Sequence, residues 1–399
     1  MTSRSVEEHS AEVQRLLEPL LTPSVENVAV IEALGRVLGA DVRSPLDLPL
    51  FRNSQMDGFA VAAASLAAVP VTLPVTETIA AGPAQPSPLA PGTAARIMTG
   101  AVVPDGADAV VPVEDTDSTA TDATKDMVTI RVPRRAGEYV RDAGTDVRAG
   151  DLLLQSGAEL SPRHLSLFAA VGLATVPVRR RPRVAVIATG AELVRAGDPL
   201  RPGQIYESNS VALAASLTAN GADVVSVDRS DDDLAVFAEI LRRATASADL
   251  VITSGGVSMG DFEVVREVLT PLGGWFGHTT MQPGGPQGLA EIDGVPVLNF
   301  PGNPVSTMVS FEVFARPLLR RAAGLPPVPR EELALAEPIT SIPGKHQFLR
   351  GRRVDGGVAL ESGPGSHLVA ALARADVLID IPENVTTMKA GDNVRVWPL

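Results

Sequence analysis

The sequence predicts a multi-domain α/β protein, in which a mostly parallel, doubly wound α/β domain is joined to β-rich modules. Three observations support this. After Arg179-Arg180-Arg181-Pro182, apolar runs alternate with helical patterns, as in a parallel sheet covered on both faces. Between Pro45 and Asp151, short Val- and Thr-rich runs are cut by Ala-Gly-Pro, Pro-Ser-Pro and Ala-Pro-Gly, the texture of a β-rich module. Beyond Pro326-Pro327 short strands return. With 399 residues, 45% of them apolar, the chain can build roughly two to four domains with cores of their own.

In chain order, Val6, His9, Val13, Leu16, Leu17 and Leu20 fall on one face of a helix over 5–21, spaced as the 3.6-residue period requires. A second helix is predicted over 28–38. The Asp/Thr/Ser/Ala-rich stretch 116–125 reads as a hairpin tip. In the α/β region, strands are expected at 184–188, 224–227, 250–253 and 295–300. Helices are expected near 208–219, 232–246, 262–272 and 304–322. The last part, with strands at 347–354, 377–381 and 393–397 around a helix near 367–374, reads as a small closed β-module.

Thirty-four Lys and Arg against 47 Asp and Glu give a net charge of −13, which argues against a broad nucleic-acid surface. Anionic ligands must therefore be held locally, by Gly-rich turns, helix starts and bound cations. The absence of Cys excludes disulfides, thiolate zinc sites and Cys nucleophiles. Neither a secretory leader nor an apolar run of membrane-spanning length is visible. A cytoplasmic protein is the expectation.

Four clusters in the α/β region fall at strand ends, where ligands of open α/β sheets bind. They are Thr189-Gly190-Ala191-Glu192, Tyr206-Glu207-Ser208-Asn209, Thr253-Ser254-Gly255-Gly256-Val257-Ser258-Met259-Gly260-Asp261, and Phe300-Pro301-Gly302-Asn303-Pro304-Val305-Ser306. Ser208 or Asn209 is a candidate N-cap. Asp261 is expected to open a helix and to hold a divalent cation beside the Gly-Gly turn. Asn303 at an N-cap with Pro304 at N1 would leave free N–H groups aimed at an anion. Singly, each is a common turn; the convergence of all four on one sheet edge makes them a site.

The β-rich module adds N-S-Q-M-D-G-F-A at 53–60 and R-I-M-T-G-A-V-V-P-D-G-A-D-A-V-V at 96–111. With A-T-G-A-E-L, Y-E-S-N, T-S-G-G-V-S-M-G-D, F-P-G-N-P-V-S and, at 365–367, G-S-H, the chain resembles the molybdopterin molybdenumtransferases, a family that includes the C-terminal region of gephyrin. The resemblance implies four domains: 1–45 with 147–178, elongated and discontinuous; 46–146, inserted and β-rich; 179–326, the molybdopterin-binding α/β domain; and 327–399, a β-barrel. It implies a homodimer whose cleft joins the α/β domain of one copy to the inserted domain of the other. The reaction it implies inserts molybdate into adenylated molybdopterin with release of AMP, assisted by Mg²⁺. Asp57, Thr99, Glu192, Asp231 and Asp261 are the implied catalytic residues, with Asp57, Glu192 and Asp261 as metal ligands. For Asp231, chosen from Asp231-Asp232-Asp233, a one-residue shift is the alternative. Thr253, Ser254, Gly255, Gly256, Ser258, Pro301, Gly302, Asn303, Pro304, Ser306 and Ser366 would bind the pterin nucleotide.

Two departures stand against the family pattern. Its K-P-G-K-P or Q-P-G-K-P motif reads Gln282-Pro283-Gly284-Gly285-Pro286 here, and a further lysine upstream is His278. Each lost charge-assisted hydrogen bond would cost about 1 to 3 kcal/mol, so reduced activity is expected, with Lys345, Arg350 and Arg352 as candidate substitutes. An eroded site suggests the alternative of a gephyrin-like scaffold. Such a scaffold would bind the disordered peptide tail of a membrane or filament-forming protein.

Overall fold

The computed structural model describes residues 3–83, 85–117, 126–257 and 263–399. The chain divides into two compact units, one made of residues 1–26 with 178–399 and the other of 27–177.

In the first unit, a seven-stranded sheet runs in the order Ser3–Arg4, Trp275–Thr279, Pro286–Ile292, Val295–Phe300, Leu250–Ser254, Arg183–Thr189, Asp223–Ser230. The last four of these strands are parallel, as the βα alternation predicts. The hairpin strands 275–279 and 286–292 join them antiparallel, so the sheet is mixed at one side. Along Arg183–Thr189, Val184 and Val186 enter one core while Ala185 and Ile187 enter the core on the opposite face. Burial on both faces explains why these strands read as unbroken apolar runs. Helices Asn209–Ala219 and Pro304–Ser310 cover the first face through Leu213, Leu217, Val305 and Val309. Helices Leu234–Ser247 and Val264–Leu269 cover the second through Phe237, Leu241, Val265 and Leu269.

The N-terminal helix spans Val6–Leu16, opened by a capping box between Ser5 and Glu8, and a short turn of helix follows at Glu18–Leu21. Its Val6 and Val13 are buried in the first core. In the same unit the closing β-module curls into a barrel. Strands His346–Val354, Val377–Ile381, Asn393–Pro398 and Glu331–Ala334 pair in succession, Gly357–Leu360 pairs with His346–Val354, and the Leu335–Val358 bridge closes the ring. Val358, Ile379 and Val396 fill it.

The second unit holds a five-stranded sheet in the order Ala109–Pro112, Gly58–Val61, Ala94–Ile97, Val71–Ile79, Met127–Ile130. Gly58 is required where two backbones meet: a Cβ there would lie 2.0 Å from the Val111 carbonyl oxygen. The helix predicted over 28–38 does not form. Only a 3-10 turn, Val30–Glu32, appears, because the backbone bonds across the fold instead: Val30 N–H donates to Ala174 O at 3.0 Å, Gly35 N–H to Leu160 O at 2.8 Å and Leu38 N–H to Ala158 O at 2.9 Å. Most of the expected hairpin tip at 116–125 lies outside the described residues. No helix among the described residues is long and apolar enough to cross a membrane.

Candidate active-site cleft

Three parallel strands of the first unit end beside one cleft of about 480 Å³. At Leu250–Ser254 the chain turns through Gly255 and Gly256, with φ of +99° and +67°. Only glycine fits at 255, where a Cβ would lie 2.6 Å from the Thr189 carbonyl oxygen. Gly302 approaches from the neighbouring loop, its Cβ position 3.4 Å from Gly255 Cα. The loop is fixed by Thr307, whose hydroxyl donates to Pro301 O at 2.6 Å.

Ser254, Gly255, Gly256, Pro301, Gly302, Asn303, Pro304 and Ser306 all line the cleft, as does Glu192. Glu192 folds over its own turn, its Oε2 2.5 Å from where a Cβ at Gly190 would stand. Thr253 does not reach the cleft. It is fully buried beneath it, donating its hydroxyl to Asn299 Oδ1 at 2.9 Å. In the acidic run, Asp232 lines the cleft. Asp231 accepts the Asp233 N–H at 3.1 Å, and Asp233 caps the helix Leu234–Ser247 through the N–H groups of Ala235 and Val236. The helix start after Asn303 is less open than expected, since Asn303 makes no side-chain cap and the Val305 N–H already donates to Ser366 O at 3.1 Å. That bond brings Ser366 from the barrel to the rim of the Pro301–Pro304 loop. Ser258 and Asp261 lie outside the described residues, and the helix that Asp261 was expected to open begins at Val264.

Asp57 and Thr99 belong to the second unit. One carboxylate oxygen, Oδ1 of Asp57, accepts both the Thr99 N–H at 2.7 Å and the Thr99 hydroxyl at 2.9 Å. The backbone donor first, then the hydroxyl, hold the Asp57 carboxyl below the usual carboxylate range, and Arg96 adds to the effect. Asp57 is therefore an anion with one oxygen oriented and the other unencumbered by that pair.

The two departures from the family lysines are one structural event. A Cβ at Gly285 would stand 2.2 Å from the His278 ring, so the imidazole fills the space a side chain at 285 needs. Burial, then the charge of Lys345, push the His278 pKa down, and the ring does not replace a lysine charge at neutral pH. Of the acidic run the sequence favours Asp231, with a one-residue shift as the alternative, and it is Asp232 that lines the cleft; the sequence offers Asn209 only as a candidate cap. Asn209 is the first residue of helix Asn209–Ala219, and its Nδ2 donates to Ser254 Oγ and to Gly302 O, both at 2.8 Å. A polar amide one residue past the cap, facing two other strand-end turns, was the available signal.

Comparison with known proteins gives the family. Residues 4–172 match the MoeA N-terminal region (domain I and II), 185–321 a probable molybdopterin binding domain and 332–399 the MoeA C-terminal region (domain IV). Molybdopterin molybdenumtransferase 2 of Mycobacterium tuberculosis is 47% identical over 99% of this chain and 100% of the relative. Molybdopterin molybdenumtransferase 1 of the same organism is 36% identical over 98% of each. A crystal structure of the MoeA molybdopterin biosynthesis protein of Pyrococcus horikoshii superposes with a TM-score of 0.75 at 32% identity, covering 97% of this chain and 98% of that one. Such identity along the whole length, over three successive matched regions, makes the chain a member of the molybdopterin molybdenumtransferase family.

Proposed function

We propose that the protein transfers molybdenum from molybdate to adenylated molybdopterin, releasing AMP, as an enzyme of molybdenum cofactor biosynthesis. The observation that carries this reading is the meeting of the Ser254-Gly255-Gly256 turn, the Pro301–Pro304 loop and the carboxylates of Glu192 and Asp232 in one cleft. Glycine turns let a phosphate approach the backbone closely. Two carboxylates in the same space oppose an anion unless a cation stands between them.

The donor set fits Mg²⁺, which takes one or two carboxylates and keeps several waters. Glu192 and Asp232 would hold it within the cleft, and Asp57 and Asp261 remain proposed ligands. When bound, Mg²⁺ would neutralise charge on phosphate oxygens and on the departing nucleotide. The Gly255 and Gly256 turn and Ser306 would hold the phosphate, and Ser366 would fix the loop that carries Pro304. Asp57, oriented by Thr99, would act as a fixed anion toward cation or proton. No protein nucleophile is required: a molybdate oxygen can attack the adenylate phosphorus and displace the molybdopterin phosphate, after which the two dithiolene sulfurs displace two oxides from molybdenum, one leaving as part of AMP and the other, taking the thiol protons, as water.

The same reading divides the chain at 1–45 with 147–178, 46–146, 179–326 and 327–399. Matched family regions that end at 172 and 321 and resume at 185 and 332 support the later boundaries. It also predicts two copies in the working assembly. The direct test supplies adenylated molybdopterin, molybdate and Mg²⁺ and follows AMP. Release that Asp261→Asn abolishes supports the proposal, and no release by the native protein refutes it.

A further inference from the structure

Four cleft-lining residues, 206–209, remain unexplained by phosphate or metal binding. Glu207 is consumed locally: its Oε1 accepts the Ser210 N–H at 2.8 Å and its other oxygen accepts the Ser210 hydroxyl, so it caps the helix. Ser208 occupies the N-cap position of that helix, and the remaining two of the four are Tyr206 and Asn209.

Tyr206 is the one aromatic ring lining the cleft among the described residues, and it is 47% exposed. Its phenol hydroxyl donates to Asp198 O at 3.1 Å, while the flanking backbone is held by Ile205 N–H to Glu192 O at 2.9 Å and Glu207 N–H to Val194 O at 2.8 Å. The ring is thus fixed at both ends, and stacking on it orders little that is not ordered already. An exposed, pre-oriented aromatic face accepts any flat heterocycle.

Asn209 settles the polarity beside it. Gly302 O can only accept, so the amide nitrogen must face it. The same nitrogen reaches Ser254 Oγ, which employs both amide protons. The carbonyl Oδ1 has no partner among the described residues, and an oxygen acceptor repels phosphate oxygens and attracts N–H groups.

We infer that Tyr206 and Asn209 form a recognition subsite for a flat heterocycle bearing an amino group: Tyr206 stacks on the ring and Asn209 Oδ1 accepts from its N–H. Both ends of the proposed substrate carry such a group, the adenine of the adenylate and the pterin. The inference deepens the proposed reaction and rests on it.

The test titrates AMP, ribose 5-phosphate, purine riboside 5′-monophosphate and molybdopterin into the native protein. The same probes are then titrated into Tyr206→Ala, Tyr206→Phe and Asn209→Ala, each first shown to keep its circular dichroism and thermal midpoint. Tyr206→Ala is expected to weaken a ring-bearing ligand roughly tenfold and to leave ribose 5-phosphate unchanged, with Tyr206→Phe close to native. Asn209→Ala is expected to erase the preference for an amino-bearing ring. Where AMP is the ligand affected, that preference reads as AMP over purine riboside 5′-monophosphate. A loss confined to AMP assigns the subsite to adenine, and a loss confined to molybdopterin assigns it to the pterin. Native-like affinity of Tyr206→Ala for both overturns the subsite and leaves the reaction standing. No saturable binding of either ligand by the native protein overturns both.

Discussion

Thr99 fixes only one oxygen of Asp57, so the two donors can be separated by mutation. Thr99→Val removes the hydroxyl donor and keeps the backbone one. A hydrogen bond to a charged group contributes about 1.5 to 3 kcal/mol, so turnover is expected to fall roughly tenfold or more, with the thermal midpoint near native. Asp57→Ala should abolish turnover and still fold; a large drop in midpoint would mean that Asp57 is structural. His9 gives a prediction about pH. It is buried between Trp275, with ring centroids 5.4 Å apart, and Phe314, at 4.7 Å. Burial, then Arg4, lower its pKa from 6.5 to about 3. The unfolded chain takes up a proton below pH 6.5 that folded His9 refuses, so stability is complete above that pH. It falls by about 1.4 kcal/mol per unit toward pH 3. Urea midpoints measured at pH 7.5 and 5.0 should show this loss, and His9→Leu should shrink it.

Turns between elements carry the second kind of prediction. Gly197 and Gly255 have nearly the same φ, +96° and +99°, but a Cβ at 197 meets open space and one at 255 meets Thr189. Gly197→Ala should cost about 1 to 2 kcal/mol from the left-handed backbone alone. Gly255→Ala should cost clearly more and abolish turnover, and equal midpoints for the two variants would contradict the packing described. This contrast also shows what was legible in the sequence. Parallel strands and their terminal turns could be read because apolar runs and Gly clusters are local signals, and most of the named turn residues do line the cleft. The failed helix over 28–38 was illegible because its backbone partners lie at 158–174, far along the chain. Thr253 looked like its neighbour Ser254, yet strand alternation turns it into the sheet toward Asn299. In Asp231-Asp232-Asp233 only the capping geometry separates the three carboxylates.

At the scale of the whole molecule, a chain of net charge −13 is proposed to handle anionic substrates, which makes its chemistry depend on cations. Mg²⁺ held by one or two carboxylates keeps several waters and completes its shell with substrate phosphates, so the metal is expected to bind with the substrate and not as part of the folded frame. EDTA should therefore abolish AMP release, added Mg²⁺ should restore it, and the thermal midpoint of the protein without substrate should hardly move. A midpoint that drops sharply with EDTA would place the metal among the structural elements. The edge strand Ser3–Arg4, paired in parallel with His278 and Thr279, has a consequence for biosynthesis. Ser3 and Arg4 cannot find these hydrogen-bonding partners until synthesis has passed Thr279. Until then this strand must wait unpaired, with the apolar side of the helix Val6–Leu16 open to chaperones.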